Sequence, residues 1–361
     1  MHICNRVISL FIAFVLVSVV KAQPAKYSNA FMDIGIGAHN LSKGNAVVAG
    51  VSDLSAGYWN PAGLVHVQET AQVGFMHSEH FAGVAKFDWL GAAFTLDSGK
   101  HAIGINIIRF AVDDIPYTMD LIEPDGTINY DNIRSFSVGD YGFMLSYARK
   151  LRDNLSVGGT AKVIYHKTGS FAKAVGFGID LGVQYQVKDF KLGVNIRDIS
   201  TTFNAWNFSF TDKEKQIFEL TDNEIPQNSL EITMPKILIG AGYYKKFNKF
   251  ELNTELAIDI TTDGKRNVLL PGKPMSFDPH LGVEVGFAEI VYVRGGVSNI
   301  QKELASNNED KKITVQPNIG AGLRFKTIAI DYAFTDVGSK ETSTFSHVIS
   351  ARIGFNKKKD K

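Results

Sequence analysis

Apolar and polar residues alternate along most of this chain from about residue 70 onward. In the segment 172–187, Phe177, Ile179 and Leu181 alternate with glycine and aspartate, and segments 154–168 and 249–261 show the same period of two. Successive side chains of a β-strand point to opposite faces, so this period indicates extended strands. The alternation therefore predicts strands that separate an apolar environment from a polar one.

Turn residues divide the alternating region into about fourteen strands. The expected strand ranges are 70–77, 82–96, 101–112, 136–149, 154–168, 172–187, 190–200, 231–245, 249–261, 277–287, 289–299, 312–325, 327–336 and 344–356. A soluble sandwich would share the alternation, but many of these strands exceed the five or six residues or so that are usual in a globular sheet. About ten residues suffice to cross a bilayer at a tilt. We therefore expect an all-β fold, a transmembrane antiparallel β-barrel of about fourteen strands over residues 69–356.

The lengths of the connections support this count. Even-numbered junctions are short, as at 97–100 and 188–189, whereas five odd-numbered junctions are long. The long ones are expected at about 113–135, 201–230, 262–276, 300–311 and 337–343. Outer-membrane barrels keep short turns on the periplasmic side and long loops outside. Aromatic residues near strand ends, including Trp89, Tyr147 and Tyr292, further predict an interfacial girdle.

The first residues read as an export signal. Arg6 precedes an apolar run from Val7 to Val20, and the small residue Ala22 follows, so residues 1–22 are expected to be a cleaved signal peptide. Removing Arg6 and Lys21 leaves 36 bases against 37 acids, a net charge of −1 with histidine neutral, which gives no reason to expect nucleic acid as a partner. The remaining chain has no cysteine but is rich in glycine and phenylalanine, which suits a barrel in contact with outer-membrane lipid.

No catalytic motif is present, so we expect a protein that is not an enzyme and has no cofactor. His77, Glu79 and His80 could offer a surface metal site, but no frame that places all three on one ion is evident, and a solvated loop is the simpler interpretation. Charged residues such as Lys162 and Asp180 fall on the polar face of the strands. Charge pairs that fill the lumen are favoured there over a selective pore lining.

Residues 23–68 lack alternation and are dense in small residues, which predicts a compact plug or hatch inside the barrel. Pro61 fixes its own backbone and restricts Asn60 to extended conformations. The stiff turn could hold bulky side chains against the inner wall, although a turn that only caps the barrel end is the alternative. The residues expected to form this plug motif are Asp53, Tyr58, Trp59, Asn60, Pro61, Ala62 and Gly63.

The stretch IGIGAHNLSKGNAVVAGVSDLSAGYWNPAGL resembles the N-terminal block of the PorV/PorQ family, within the wider FadL-like group of fourteen-stranded barrels. This resemblance implies a non-enzymatic protein of the Gram-negative outer membrane, from Bacteroidota, that serves type IX protein secretion. Its partners would be secretion-system proteins or the C-terminal domains of cargo.

The long loop at 201–230 would then make the partner contacts. The aromatic residues expected to act as anchors are Phe203, Trp206, Phe208, Phe210 and Phe218. The alternative is that these aromatic side chains fold back to cover the barrel. The alternative, from the FadL-like resemblance of Asn60-Pro61-Ala62, is a transporter of hydrophobic small molecules. The last residues, 357–361, are expected to form a charged tail.

Overall fold

The computed structural model describes residues 28–121, 123, 126–304, 311–335 and 346–356. The predicted signal peptide at 1–22 and the charged tail at 357–361 lie outside the described residues. Strands dominate this part of the chain. None of the helices described has the length and hydropathy needed to cross a bilayer.

Sixteen strands in the described ranges join in one sheet. Their bounds are β1 Ala71–His80, β2 Ala85–Leu96, β3 His101–Tyr117, β4 Arg134–Arg152, β5 Leu155–Thr168, β6 Ala172–Val187, β7 Phe190–Arg197, β8 Thr202–Phe208, β9 Ser229–Thr233, β10 Lys236–Phe247, β11 Phe250–Thr261, β12 Ser276–Phe287, β13 Val291–Leu304, β14 Lys311–Phe325, β15 Ile328–Thr335 and β16 Ser346–Phe355. The α-helices are α1 Ala38–Leu41, α2 Ala56–Trp59 and α3 Asp212–Leu220. Short 3-10 helices occupy Ala30–Asp33, Pro61–His66, Asp97–Gly99 and Tyr130–Asn132.

The sheet closes on itself as an antiparallel barrel. Most strands that follow one another in sequence are neighbours in the wall, and β1 pairs with β16, with Ala71 opposite Phe355. β7 and β8 occupy one position in the wall and β9 and β10 the next, so the barrel has fourteen wall positions. The predicted fold class is confirmed.

Two neighbouring wall positions are interrupted at the same level. The ladder pairs Arg197 with Lys236 and resumes with Thr202 opposite Thr233, which leaves residues 198–201 and 234–235 outside it. Asp198 and Thr201 take the left-handed backbone conformation, with φ of 53° and 56°. Pro235 has no backbone N–H to donate to a ladder. The sequence therefore breaks the wall locally where we had expected uninterrupted strands at 190–200 and 231–245.

Large apolar side chains cover the outer face of the wall, and polar side chains face inward. Phe177, on the outward face of β6, is 52% exposed, whereas Asp180, three residues further along the strand and on the inward face, is 1% exposed. The predicted alternation is thus confirmed in β6. Trp89 and Tyr292 were assigned to an interfacial girdle, and this was wrong, because both point inward and are only 4% and 2% exposed. Inside the barrel, Trp89 Nε1 donates to Asn106 Oδ1 at 2.8 Å.

Two of the predicted long loops are partly strand. β3 continues to Tyr117 and β4 begins at Arg134, which shortens the connection expected at 113–135. The region 201–230 contains β8, α3 and β9. A capping box begins α3, because the Thr211 hydroxyl accepts from the backbone N–H of Glu214 while the Glu214 carboxylate accepts from that of Thr211.

The N-terminal segment, residues 28–68, lies within the barrel. Helix α2 and the 3-10 helix Pro61–His66 pack against β3 to β6, while α1 packs against β14 to β16. Apolar side chains of the segment and of the wall form one buried cluster that includes Ile36, Leu54, Leu64, Met76, Phe87, Ile108 and Ile164. The core of this protein is therefore inside the barrel, between the segment and the wall.

Candidate functional site

Asn60 is fully buried where the N-terminal segment meets β6 and β7. Its Nδ2 donates to the carbonyl oxygens of Val48 at 2.9 Å, Val183 at 3.1 Å and Val194 at 3.3 Å. Its Oδ1 accepts from the backbone N–H of Ala62 at 3.2 Å and so begins the 3-10 helix. One side chain thus ties the segment to itself and to two strands of the wall.

The turn after Asn60 lies directly on glycines of the wall. A Cβ at Gly158 would come within 2.6 Å of the carbonyl carbon of Pro61, and one at Gly182 within 2.8 Å of its Cδ. Ala62 is 0% exposed, and a Cβ at Gly63 would lie 2.3 Å from the Val51 carbonyl oxygen. Backbone contact this close leaves no room for larger side chains on either surface.

Tyr58 and Trp59 fill the centre of the barrel. Trp59 Nε1 donates to the carbonyl oxygen of Ile36 at 3.0 Å, and the Tyr58 hydroxyl donates to that of Met32. The Arg197 guanidinium lies 4.3 Å from the centre of the Tyr58 ring, a cation–π geometry. The pair therefore folds the segment onto itself and anchors it to β7.

Asp53 joins two parts of the segment to the last strand. Its carboxylate contacts His39 Nε2 at 2.8 Å, accepts from Arg352 of β16, and accepts from the Ser55 backbone N–H at 2.9 Å. Burial alone would raise the pKa of Asp53, but His39, Arg352 and Ser55 together hold it well below its usual range. Asp53 therefore stays ionised and holds the segment to the wall.

A second carboxylate binds the segment from the wall. Glu255 of β11 accepts from the backbone N–H groups of Ala49 at 2.6 Å and of Gly50 at 2.9 Å. Gln184 of β6 donates to the carbonyl oxygen of Val51 at 3.0 Å. Polar side chains that sequence alternation placed on the inward face therefore satisfy backbone groups of the segment.

The aromatic residues predicted as partner anchors divide between two faces. Phe203 points outward, where it is 45% exposed beside Phe177 of β6. Trp206, Phe208 and Phe210 instead line a cavity at the end of the barrel that carries the long connections. They cover this cavity rather than extend from the loop as free anchors.

This cavity, the aromatic pocket, has a volume of about 650 Å³. It is lined by Thr168, Phe171, Ala172, Trp206, Phe208, Phe210, Phe218, Pro226, Ser229, Leu230, Glu231 and Ile232. The Phe208 ring stacks between those of Trp206 and Phe210, with centroids 5.9 Å and 6.2 Å apart. Small-molecule sites are usually concave, mostly apolar and of about this volume. The pocket is thus shaped for an apolar ligand.

The aromatic surface continues inward from the pocket to the N-terminal segment. Trp206 stacks on His166 of β5 at 5.3 Å between ring centres, and His166 meets the edge of Phe31 at 5.7 Å. His166 Nε2 also contacts Asn29 Oδ1 at 3.1 Å. The floor of the pocket therefore rests on the residues with which the described segment begins.

A separate cavity of about 570 Å³, the polar vestibule, lies elsewhere in the lumen above the segment. Its lining includes Lys236, Asp259, Asp278, His280, Gln316 and Asn318. Lys236 Nζ contacts Asp259 at 2.8 Å and Asp33 of the segment at 3.1 Å. Its ionic and amide surface suits water, in contrast to the aromatic pocket.

A buried ion cluster stabilises the break in the wall. Lys162 Nζ lies 2.8 Å from a carboxylate oxygen of Asp180 and 2.8 Å from one of Asp198. Asp180 also accepts from the backbone N–H of Asp198 at 2.8 Å. Sequence alternation placed Lys162 and Asp180 on one face but could not show that Asp198, at the interruption, joins them.

His77, Glu79 and His80 are not brought together. They lie on β1, where His77 and Glu79 face outward and His80 faces inward toward Ser78 and Ser346. His77 Nδ1 contacts Asp88 at 2.7 Å, and its Nε2 lies 3.8 Å from Glu79 on the same outward face. Within the described ranges, no group of three or more histidine, cysteine or acidic side chains is placed to hold a metal ion.

Comparison with solved structures shows the fold class to which this barrel belongs. The CymD monoaromatic hydrocarbon channel superposes with a TM-score of 0.56 at 13% identity, over 90% of this chain and 98% of that one. The Pseudomonas putida toluene transporter TodX gives 0.57 at 12% identity, over 89% and 98%. A Pseudomonas aeruginosa FadL homologue gives 0.53 at 10% identity, over 89% and 98%.

At these identities the likeness shows the fold alone, that of FadL-like barrels. No protein-family model matches the chain. No curated protein sequence matches it either. The expected membership of the PorV/PorQ family, with its type IX secretion role and its source in Bacteroidota, therefore stays a prediction.

Sequence reasoning missed Phe171 and Glu231 of the aromatic pocket, and it took Phe218 as a loop anchor rather than as part of a cavity wall. A signal was available for part of it, because Trp206, Phe208 and Phe210 recur at a period of two, which indicates a strand with one aromatic face. We had assigned the region to a loop. The contribution of α3 carried no comparable signal, since only the folded connection brings Phe218 within 5.1 Å of Phe210.

Proposed function

We propose that this protein is an outer-membrane channel for hydrophobic small molecules, with the aromatic pocket as its entry site. The N-terminal segment would act as the plug that controls passage toward the periplasm. The proposal takes up the FadL-like alternative rather than the type IX secretion hypothesis.

The observation that carries the proposal is the continuity of the aromatic surface. The pocket opens between β6, β8, β9 and α3, and its stacked rings lead through His166 to Phe31 of the segment. The transfer of an apolar compound from water into an apolar pocket is favourable by about 25 cal/mol for each Å² of apolar area that is buried. An apolar pocket at the outer rim would thus collect such compounds next to the segment they must pass.

A gating role suits the N-terminal segment because it packs closely against the wall and yet is not part of the strand ladders that hold the barrel together. Polar contacts that involve Asn60, Asp53 and Glu255 hold it to the wall together with apolar burial, and none of the described strands pairs with it in a ladder. A shift of the segment could therefore open a path while the hydrogen-bonded ring of strands persists. Lid opening in proteins takes place on timescales from microseconds to seconds.

The similar structures point in the same direction. CymD is described as a monoaromatic hydrocarbon channel and TodX as a toluene transporter. We propose neutral apolar molecules of comparable size as the compounds carried by this chain. A pocket of about 650 Å³ can hold a ligand larger than one aromatic ring.

Uptake of radiolabelled toluene by cells that depend on this protein tests the proposal. Replacing Phe208 by Gln puts a polar amide in the pocket, and we expect initial uptake to fall at least about fivefold. Phe203→Gln, on the outward face of the same strand, is the matched control and should leave uptake unchanged.

Equal uptake by cells with and without the protein would contradict the channel. If deletion of the gene instead caused a secreted protein to accumulate in the periplasm, the type IX secretion hypothesis would be favoured. Both variants should first be shown to be folded, by the shift in gel mobility between unheated and boiled samples.

A further inference from the structure

We infer that the aromatic pocket selects its ligands by charge, accepting neutral and positively charged aromatic compounds and excluding carboxylates. The inference rests on the proposed function and narrows its substrate class. It follows from one acidic side chain, Glu231, among the aromatic residues that line the pocket.

Glu231 is fixed by the geometry of the β8–β9 ladder. Trp206 lies opposite Ser229, and Glu231, two residues further along β9, therefore points to the same face. The Trp206 indole Nε1 donates to Glu231 Oε2 at 2.8 Å. This hydrogen bond holds the carboxylate against the edge of the largest ring in the pocket.

In the part of the chain that the structure describes, no basic residue balances this carboxylate from within the pocket. Among the described residues that line it, Glu231 is the one with an ionisable side chain. The basic side chains of the nearby helix α3 have acidic partners elsewhere. Lys213 Nζ lies 2.7 Å from Asp120, and Lys215 Nζ lies 3.2 Å from Asp212.

His166 does not supply the missing positive charge to the ligand either. It lies below Trp206, which separates it from the cavity, and its Nδ1 contacts Asp140 at 2.6 Å. Its other ring nitrogen contacts Asn29. Both ring nitrogens are therefore directed at the wall and the segment, so His166 offers no cationic partner to a ligand carboxylate in the pocket.

The aromatic rings favour positively charged ligands, as the Glu231 carboxylate does. The faces of Trp and Phe rings carry partial negative charge, so they attract a cation that lies against them. A ligand carboxylate would face these ring faces and Glu231 at close range, where like charges repel each other. An ammonium group bound beside Glu231 would be attracted both by the carboxylate and by the faces of the aromatic rings.

The pocket therefore has the chemistry of an aromatic cage with one carboxylate, a combination that suits aromatic amines and quaternary ammonium compounds. Neutral hydrocarbons would bind by apolar burial alone. Fatty acids and aromatic acids, which share the same apolar groups, would be disfavoured by their charge.

Three probes of nearly equal size separate the charge effect from apolar burial: benzyltrimethylammonium, benzyl alcohol and phenylacetate. Their affinities for the full protein in lipid nanodiscs can be measured by calorimetry at pH 7.5 and low salt. We expect benzyltrimethylammonium to bind at least about tenfold more tightly than phenylacetate, with benzyl alcohol in between.

Glu231→Gln should bring the charged probes to within about threefold of one another. An amide oxygen can still accept from Trp206, so the pocket should keep its shape. Glu231→Asp retains the charge and should retain the preference. Glu219→Gln is the control, because it removes an acidic charge from an exposed position of α3 that lies outside the pocket.

Phenylacetate binding as tightly as benzyltrimethylammonium would overturn the inference, even where Glu231→Gln fails to fold. A preference that persists unchanged in a folded Glu231→Gln protein would overturn it as well. Binding of benzyl alcohol, together with toluene uptake, reports on the proposed channel separately. If benzyl alcohol binds and the charge preference is absent, the result supports the proposed channel and contradicts the proposed selection by charge. If none of the three probes binds, both are contradicted.

Discussion

Asn60 of the N-terminal segment lies so close to Gly182 of β6 that a Cβ at position 182 would come within 2.1 Å of the Asn60 Oδ1 atom. The contact lies at the point where Asn60 Nδ2 donates to the carbonyl of Val183. Glycine in the wall and asparagine in the segment therefore fit one another as a pair. Changes on the two sides of this contact should have related effects.

Gly182→Ala should displace the segment without unfolding the barrel. The added methyl group would overlap Asn60 Oδ1 and the Pro61 ring, both held by the stiff turn, and overpacking of this kind costs about 1–3 kcal/mol. We expect raised single-channel conductance in planar bilayers and faster proteolysis of the segment. Gly295→Ala is the matched control, since its nearest heavy atom would lie 3.9 Å away. Equal conductance in the two variants would argue against close packing of the segment at Gly182.

Asn60→Ala should loosen the same contact from the other side. The change removes the donor to the carbonyls of Val48, Val183 and Val194, and a buried polar group left without its partner costs about 1–3 kcal/mol. We expect cells producing this variant to become more sensitive to vancomycin, which is too large and polar for the intact outer membrane. Asn267→Ala, on the long connection between β11 and β12, is a control that should leave sensitivity unchanged. Unchanged sensitivity with Asn60→Ala would show that the segment does not rely on this side chain.

The barrel could be predicted from sequence because local sequence patterns determine its strands and turns. Each strand alternates at a period of two, and each connection carries its own turn residues, so the order of the wall follows from the chain. The interruption between β7 and β8 could not be predicted in the same way. Asp198 and Thr201 adopt a left-handed backbone conformation that their side chains do not require. What holds them is the contact of Asp198 with Lys162, two strands away.

The candidate site shows the same division. The turn at Asn60 and Pro61 is encoded locally, and the sequence indicated it. The wall atoms that meet it, such as the carbonyls of Val183 and Val194, are set by where the segment lies along the barrel axis, which no local pattern records. Likewise, the alternation of Trp206 and Phe208 indicates a shared face. Its inward direction depends on the pairing of β8 with β6.

Lys162→Ala should destabilise the wall at its interruption. The change leaves the carboxylates of Asp180 and Asp198 buried together without their cation, and breaking a buried ion pair from one side costs about 3–5 kcal/mol. We expect the temperature at which the folded band disappears on an unboiled gel to fall. Lys173→Ala, at an exposed position of β6, is the control. A transition temperature equal to that of the control would show that the cluster contributes little to the stability of the wall.

The attachment of the segment near the short-turn end should weaken as the pH falls, because of His66. Burial, with smaller effects from Lys150 and Lys191, lowers the pKa of His66 to about 4 from 6.5. If the segment were displaced, His66 would regain its usual pKa and would bind a proton that it does not bind in the docked segment. The contribution of His66 to docking is thus complete above pH 6.5 and declines as the pH falls toward 4. At pH 5 the loss is about 2 kcal/mol.

Hydrogen exchange of peptides covering residues 61–70, corrected for intrinsic rates, measures this opening at pH 7.5 and pH 5. We expect protection to fall about 30-fold at pH 5 in the natural protein. His66→Asn should abolish this part of the change. His39, the other buried histidine of the segment, is present in both proteins, so the difference between them isolates His66. A pH dependence identical in the two proteins would contradict the assignment to His66.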